Sequence, residues 1–194
     1  MAQTATRLIL PPALGSYVFV FKPRLPKNGQ GAAKYSLCLL WPKTDKALLK
    51  PLIDAVVFAA TQKFGPAAVE QLKIGKLNNP IHDGDIEKPE DPNFKGTIYV
   101  NASSKNPIGV CDAKLQKVFE ETECYSGCII RASVGVFAYD QSGGKGVALG
   151  LNNIQVVSKG PHLDNRTEAE VEFKAFADTS GSPPATSTSV DDLL

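Results

Sequence analysis

A mostly β fold, a small antiparallel barrel with one main helix between its strands, follows from three features of the sequence. Strand-like runs lie on both sides of a single helical stretch. A glycine-rich connection joins two long runs late in the chain, as in a hairpin. The C-terminal residues are polar and acidic and offer a core almost nothing.

Taken in order, Tyr17-Val-Phe-Val-Phe21 alternates aromatic with β-branched residues and reads as a strand. Lys22-Pro-Arg-Leu-Pro-Lys-Asn-Gly-Gln-Gly31 is a basic, Gly/Pro-rich loop. Lys34-Tyr-Ser-Leu-Cys-Leu-Leu-Trp41 is a second strand, ended by Pro42. The main helix follows. Thr44 or Asp45 is positioned to cap it, and Leu48, Leu49, Leu52, Ile53, Val56, Val57 and Ala60 recur at helical spacing until Gly65-Pro66 stops it. A second short helix is expected over 66–74. A polar connection runs over 76–95, long enough for a compact domain to imply a functional loop.

Thr97-Ile-Tyr-Val-Asn-Ala-Ser103 is the third strand. Cys128 to Tyr139 is a long fourth, turning at Asp140-Gln-Ser-Gly-Gly-Lys-Gly146 into a return over Val147 to Val157, where Gly150 and Asn152-Asn153 suggest a bulge. Strands, a helix, then strands again is the order of an OB-fold-like antiparallel barrel; a β-sandwich is the alternative.

The chain has 194 residues and is 43% hydrophobic, enough for one domain with a real core and a tail. The division expected is a domain over 1–177 and a disordered, flexible acidic tail over 178–194. The net charge of +1 is a cancellation: residues 1–163 carry 19 Lys/Arg against 13 Asp/Glu, and residues 164–194 carry 2 against 7. A basic body is compatible with a polyanionic partner, which the net value conceals. No apolar run reaches the roughly 20 residues of a membrane span, and the N-terminal residues lack the apolar stretch of a signal peptide, so a cytosolic protein without a membrane partner is expected. Cys38, Cys111, Cys124 and Cys128 form no CxxC pair and read as reduced, largely buried thiols.

Enzymatic readings find little to build on. His82-Asp-Gly-Asp85 is either half of a metal site or a turn, and the only other histidine, His162, is far along the chain. Gly143-Gly-Lys-Gly146 lacks the Ser or Thr and the following helix of a phosphate loop, and reads as a hairpin turn. There is no GxSxG. No catalytic residue, metal ligand or cofactor is assigned.

Nucleic-acid binding is better served. Alternation along 128–139 puts Cys128, Ile130, Ala132, Val134, Val136 and Ala138 on a core face. It leaves Arg131, Ser133, Gly135, Phe137 and Tyr139 on the other. Along 95–105 the outward set is Lys95, Thr97, Tyr99, Asn101, Ser103 and Lys105. Rings interleaved with cations are what single-strand binding calls for: cations neutralise phosphates and rings stack on bases without regard to sequence. Lys22, Arg24, Lys27 and Lys34 of the basic loop, Tyr35 beside them and Lys145 of the hairpin complete the candidate set. The opposing reading makes Phe137 second-layer core, Tyr99 and Tyr139 ordinary strand aromatics, and the lysines a solvated face.

At these residues the chain resembles the single-stranded DNA-binding proteins (SSBs) of tailed bacteriophages. The matching segments are Lys34-Tyr-Ser-Leu37, Trp41-Pro-Lys-Thr-Asp45, His82-Asp-Gly-Asp85, Phe94-Lys-Gly-Thr97, Asn101-Ala-Ser-Ser-Lys105, Tyr125-Ser-Gly-Cys128, Ala138-Tyr-Asp140 and Lys145-Gly-Val147 with Leu149 and Leu151. The resemblance implies an OB-fold, sequence-independent ssDNA binding without catalysis, and work in phage replication or recombination in the cytoplasm of the infected bacterial host. Weaker duplex DNA or RNA binding stays open. It also implies that the tail, ending Asp191-Asp-Leu-Leu194, engages replication or recombination proteins or lies in the DNA groove itself. Asp191, Asp192, Leu193 and Leu194 are the residues expected to do so. A virion structural protein and a metal-dependent nuclease are the alternatives.

Overall fold

The computed structural model describes residues 6–25, 29 and 31–163. Lys27, the domain boundary expected at 177 and the tail residues Asp191, Asp192, Leu193 and Leu194 lie outside them.

Eight strands form one sheet: β1 (Thr6–Ile9), β2 (Ala13–Arg24), β3 (Lys34–Pro42), β4 (Ile81–Asp83), β5 (Thr97–Ser104), β6 (Gly109–Cys111), β7 (Ile129–Gln141) and β8 (Gly144–Ser158). Five of them close a ring in the order β2, β3, β5, β8, β7 and back to β2. The pairs are antiparallel except β5 with β8, which run parallel. Closure is by short ladders. Ala13 and Leu14 pair with Ile130 and Ile129, and Ala102 and Ser103 with Leu149 and Gly150. This is the OB-type barrel expected from the sequence. β1 adds to β7, β4 to β5 and β6 to β8 outside the ring.

The alternation read along β7 holds: Ile130, Ala132, Val134, Val136 and Ala138 are each at most 2% exposed. The β7–β8 hairpin turns at Ser142 and Gly143, because Gln141 pairs with Gly144. Ser133 faces Asn153 while Val134 faces Leu151, so Asn152 is the extra residue of a bulge.

The helical stretch divides in two. Lys43–Leu49 is a 3-10 segment and α1 is Lys50–Phe64, with Pro51 in its first turn. Neither Thr44 nor Asp45 caps α1, a correction: Pro51 lacks the amide a continuous helix needs from that residue, so α1 starts later, on Leu49, with no side-chain cap. Leu52, Ala55, Val56, Ala59 and Ala60 form its buried stripe, whose alanines allow close approach to β7. α2 is Ala68–Lys73.

The polar connection is more structured than its composition suggests. It contains β4, α3 (Gly84–Glu87) and a 3-10 turn at Pro92–Phe94. Asp83 and Asp91 start the last two by accepting from the amides of Asp85 and Asn93. This segment folds back over the outer face of β3 and β5. There Phe94, Tyr99, Cys38 and Leu40 form a second small core, with Leu14 beside it, separate from the barrel interior.

Candidate nucleic-acid interface

The outer face of β2, β3 and β5 carries a groove of about 340 Å³. Its floor is Ser36, Cys38, Asn101 and Ser103, the outward residues of β3 and β5. Tyr17 and Phe19 rise along one side and Arg24 and Lys34 stand at the loop end, facing each other in register across β2 and β3. Lys88, from the segment after α3, reaches in from above.

A β-bulge makes this wall. Ser16 faces Cys38 and Phe19 faces Ser36, which leaves one residue too many on β2, and Tyr17 takes φ 48°. A tyrosine in the left-handed region is strained, a condition that clusters at ligand-contacting positions. The residue is 43% exposed, and its hydroxyl donates to Asp91 Oδ2 at 3.2 Å. Burial, with Asp91 adding to it, raises the Tyr17 pKa above its ordinary value. The Arg24 guanidinium lies 4.8 Å from the Phe19 ring centre. Cys38, under this wall, is pushed up to about 12 by burial, so the thiol stays protonated and unreactive.

Asn101 and Ser103 also line a second recess, of about 550 Å³, toward β8. Here the Asn78 side-chain amide donates to the Tyr139 hydroxyl at 2.7 Å. His82 Nδ1 meets Glu87 at 2.7 Å and its ring stacks on Tyr99, centroids 4.9 Å apart. The two recesses share Asn101 and Ser103 of β5, one lying toward the β2–β3 loop and the other bordered by Tyr139 beside the hairpin.

The candidates from the sequence scatter over this surface. Arg24 and Lys34 come together in the groove, and Tyr139 borders the second recess. Lys145 sits on the hairpin, its carbonyl accepting from the Asn78 amide at 2.9 Å. Lys22 is paired with Glu121 at 2.9 Å and borders a different recess. Tyr35 faces the far side of β3, toward Pro107 and Phe119. Lys95 and Lys105 are exposed at the two ends of β5. Arg131 and Phe137 stand on the outer face of β7 and line neither recess.

Tyr99 requires correction. Expected on the outward face as a base-stacking ring, it is 3% exposed. The parity was right, but the segment over 84–94 covers it. Phe94 meets it edge-on, His82 stacks on it, and its hydroxyl reaches Glu87 Oε2 at 3.3 Å. Burial, with Glu87 next in effect, pushes its pKa up to about 12. No ring face is left for a base.

Nothing in the sequence marks Tyr17, Phe19 or Lys88 as site residues. The Tyr17 to Phe21 run showed a strand without showing which face turns inward, and the bulge that turns Tyr17 outward has no glycine to mark it. Lys88 lay in a stretch with no periodicity.

The His82 to Asp85 motif is neither a free turn nor half of a metal site; it is the junction of β4 and α3, with Asp83 as the helix N-cap, and it carries an ion pair. Lys43 Nζ lies 2.6 Å from Asp83 Oδ1 and 2.7 Å from Asp85 Oδ2. The hydrogen bonds to Lys43 hold both carboxyls below their ordinary range, and the same contacts raise Lys43. Gly84 between them has no room for a side chain, because a Cβ would meet the Phe94 carbonyl. Lys43 thus holds one oxygen of each carboxylate.

Comparisons with known proteins converge. The model of a family described as the ssDNA-binding protein of Enterobacter phage Enc34 matches residues 6–182. A protein designated p50 from Acyrthosiphon pisum secondary endosymbiont phage 1 is 30% identical over 150 residues, spanning 75% of this chain and 80% of its own length. Among solved structures, the single-stranded DNA-binding protein of bacteriophage Enc34 in complex with ssDNA superposes with a TM-score of 0.68 at 20% identity, over 80% of this chain and 88% of that one. Gp2.5, a single-stranded DNA-binding protein of bacteriophage T7, gives 0.61 at 18% identity, over 86% of this chain and 99% of that one.

Proposed function

The chain belongs to the phage Enc34 ssDNA-binding protein family, and on that premise we propose that it coats single-stranded DNA during phage replication or recombination, without base specificity and without catalysis. The observation that carries this reading is the convergence of Arg24, Lys34 and Lys88 with Tyr17 and Phe19 on one groove across β2, β3 and β5. β3 and β5 are the second and third strands of the barrel; the β2–β3 loop stands at the end of the groove, and the strands of the β7–β8 hairpin border the second recess. OB-folds bind oligonucleotides on that face and with those loops.

The division of labour follows from the chemistry of the wall and floor. The cations neutralise phosphates, and the rings accept any base, because every base has a π-face. Ser36, Asn101 and Ser103 offer hydrogen-bonding groups on the floor. No helix among the described residues is long and apolar enough to cross a membrane. In this reading the protein acts in the cytoplasm of the infected host. The acidic tail, with Asp191, Asp192, Leu193 and Leu194 at its tip, serves in this reading to recruit replication or recombination proteins.

The test is a titration of labelled ssDNA, dsDNA and RNA of equal length over a range of salt. Tightest binding to ssDNA, weakening with a log–log slope of roughly −0.7 per phosphate neutralised, is the expected result. Absence of ssDNA binding, or binding indifferent to salt, would overturn the proposal.

A further inference from the structure

Lys88 is held in an unusual way. Its Nζ lies 4.2 Å from the Tyr17 ring centre, 4.1 Å from that of Phe94 and 5.5 Å from that of Tyr99. Among the described residues it forms no ion pair with a carboxylate. The ammonium is therefore kept by aromatic faces alone, a cation–π attachment. The main chain on both sides is fixed: the Lys88 amide donates to the Gly84 carbonyl, and the Lys88 carbonyl accepts from the Asp91 amide, each at 3.1 Å. Only the side chain is free to move.

The three rings under Lys88 are not equivalent. Phe94 and Tyr99 are buried, whereas Tyr17 is exposed at the groove wall, and Asp91 fixes its orientation through the hydroxyl. A base entering the groove beside Tyr17 meets a flat ring whose face is occupied by a cation. Stacking of a base on an aromatic side chain is at least as strong as a partly solvated cation–π contact. The base brings a phosphate with it, and a displaced ammonium on a long flexible stem is suited to pair with that phosphate.

We propose that the Tyr17 ring is a nucleobase-stacking platform that Lys88 covers in the free protein and vacates for a backbone phosphate when a base arrives. One residue then does two things. It keeps an exposed aromatic face from sticking to other apolar surfaces before DNA is present, and it supplies one phosphate contact afterwards. The exchange requires no backbone movement, and the strained φ of Tyr17 holds the platform toward the groove in both states.

This inference rests on the ssDNA-binding reading, and the experiment separates the two. Full-length wild type, Lys88→Met and Tyr17→Leu are titrated with labelled oligo(dT) over a salt series, with thermal unfolding of each as the check on folding. Lys88→Met should bind with a log–log slope shallower by about 0.7, the value of one phosphate on a single strand, and at high salt no more weakly than wild type. Tyr17→Leu should keep the slope and lose about tenfold affinity at high salt, where stacking remains. A wild-type slope for Lys88→Met, or wild-type high-salt affinity for Tyr17→Leu, overturns the exchange while leaving ssDNA binding intact. Should either variant fail to fold, the wild type decides. The Lys88 ε-methylene protons lie in the ring current of the aromatic faces and should return toward ordinary shifts on saturation with oligo(dT). Shifts that stay put overturn the proposal. A wild type that does not bind oligo(dT) removes the ssDNA reading and this one with it.

Discussion

Phe94 stands edge-on to Tyr99, with ring centroids 5.0 Å apart and planes at 89°. The pair forms the centre of a small core outside the barrel, where a segment rich in Asp, Glu and Pro is fastened over β5. The consequence is that Tyr99 supports the groove from beneath and does not touch its contents. Truncating a buried ring costs about 3 kcal/mol, so Tyr99→Ala should lower the melting temperature by roughly 6–12 °C for a chain of this size. Tyr99→Phe keeps the ring and loses only the 3.3 Å contact to Glu87. It should melt within a few degrees of wild type and bind ssDNA equally well; a large loss of affinity in Tyr99→Phe would return Tyr99 to the binding surface.

Charge in the groove should be distinguishable from charge elsewhere. Arg24 and Lys34 face one another at the groove's loop end, whereas Lys22 is engaged with Glu121 outside it. Arg24→Ala and Lys34→Ala should each make the salt slope of ssDNA binding shallower by about 0.7, and Lys22→Ala should leave it unchanged. Fluorescence titration at four or five salt concentrations measures all three.

The Lys43 ion pair gives a pH signature. Asp83 and Asp85 titrate below the ordinary 3.8, so what they contribute to stability is present above that pH and fades as the pH falls through their lower folded values. Lys43 is raised from 10.5, so its contribution is present below 10.5 and fades as the pH rises through its higher folded value. Thermal melts of wild type and Lys43→Met should therefore differ by a constant, small amount across the neutral range, as expected for exposed ion pairs. The difference should close as the pH falls below the ordinary 3.8 and through the lowered folded values of the two carboxyls. A difference that persists in acid would mean that Lys43 acts through packing.

Gly146 is tied to a different part of the chain. It takes φ 157°, and the Asn78 backbone crosses directly beside it. The Asn78 amide donates to the Lys145 carbonyl at 2.9 Å, and the Val147 amide donates to the Asn78 carbonyl at 3.0 Å. A Cβ at Gly146 would collide with that backbone. Gly146→Ala should lower stability by about 2 kcal/mol, and hydrogen exchange should quicken at the Asn78 and Val147 amides. Gly143, with open space where a Cβ would stand, should accept alanine with little change.

The barrel was legible because its strands obey a two-residue period. Ile130 to Ala138 alternate cleanly, and the hairpin carries its own glycines. The groove was legible only where charge marked it, at Arg24 and Lys34. Tyr17 was hidden because a bulge, which leaves no glycine in the sequence here, turns the ring outward. Tyr99 misled because alternation reports which side of a strand a residue is on and not whether another segment covers that side. Lys88 and Phe94 belong to a stretch whose order comes from Asp83 and Asp91 turns and from long-range packing, neither of which has a period to detect. Gly146 looked like part of a loop motif, and its reason is a close approach by a residue 68 positions earlier in the chain.

Amide chemical-shift mapping of the full-length protein during titration with oligo(dT) tests most directly that the strand runs across β2, β3 and β5. The account predicts the largest perturbations at Tyr17, Phe19, Arg24, Lys34, Ser36, Lys88, Asn101 and Ser103, fading along β7. Perturbations centred on Arg131 and Phe137, with the groove amides unmoved, would contradict it.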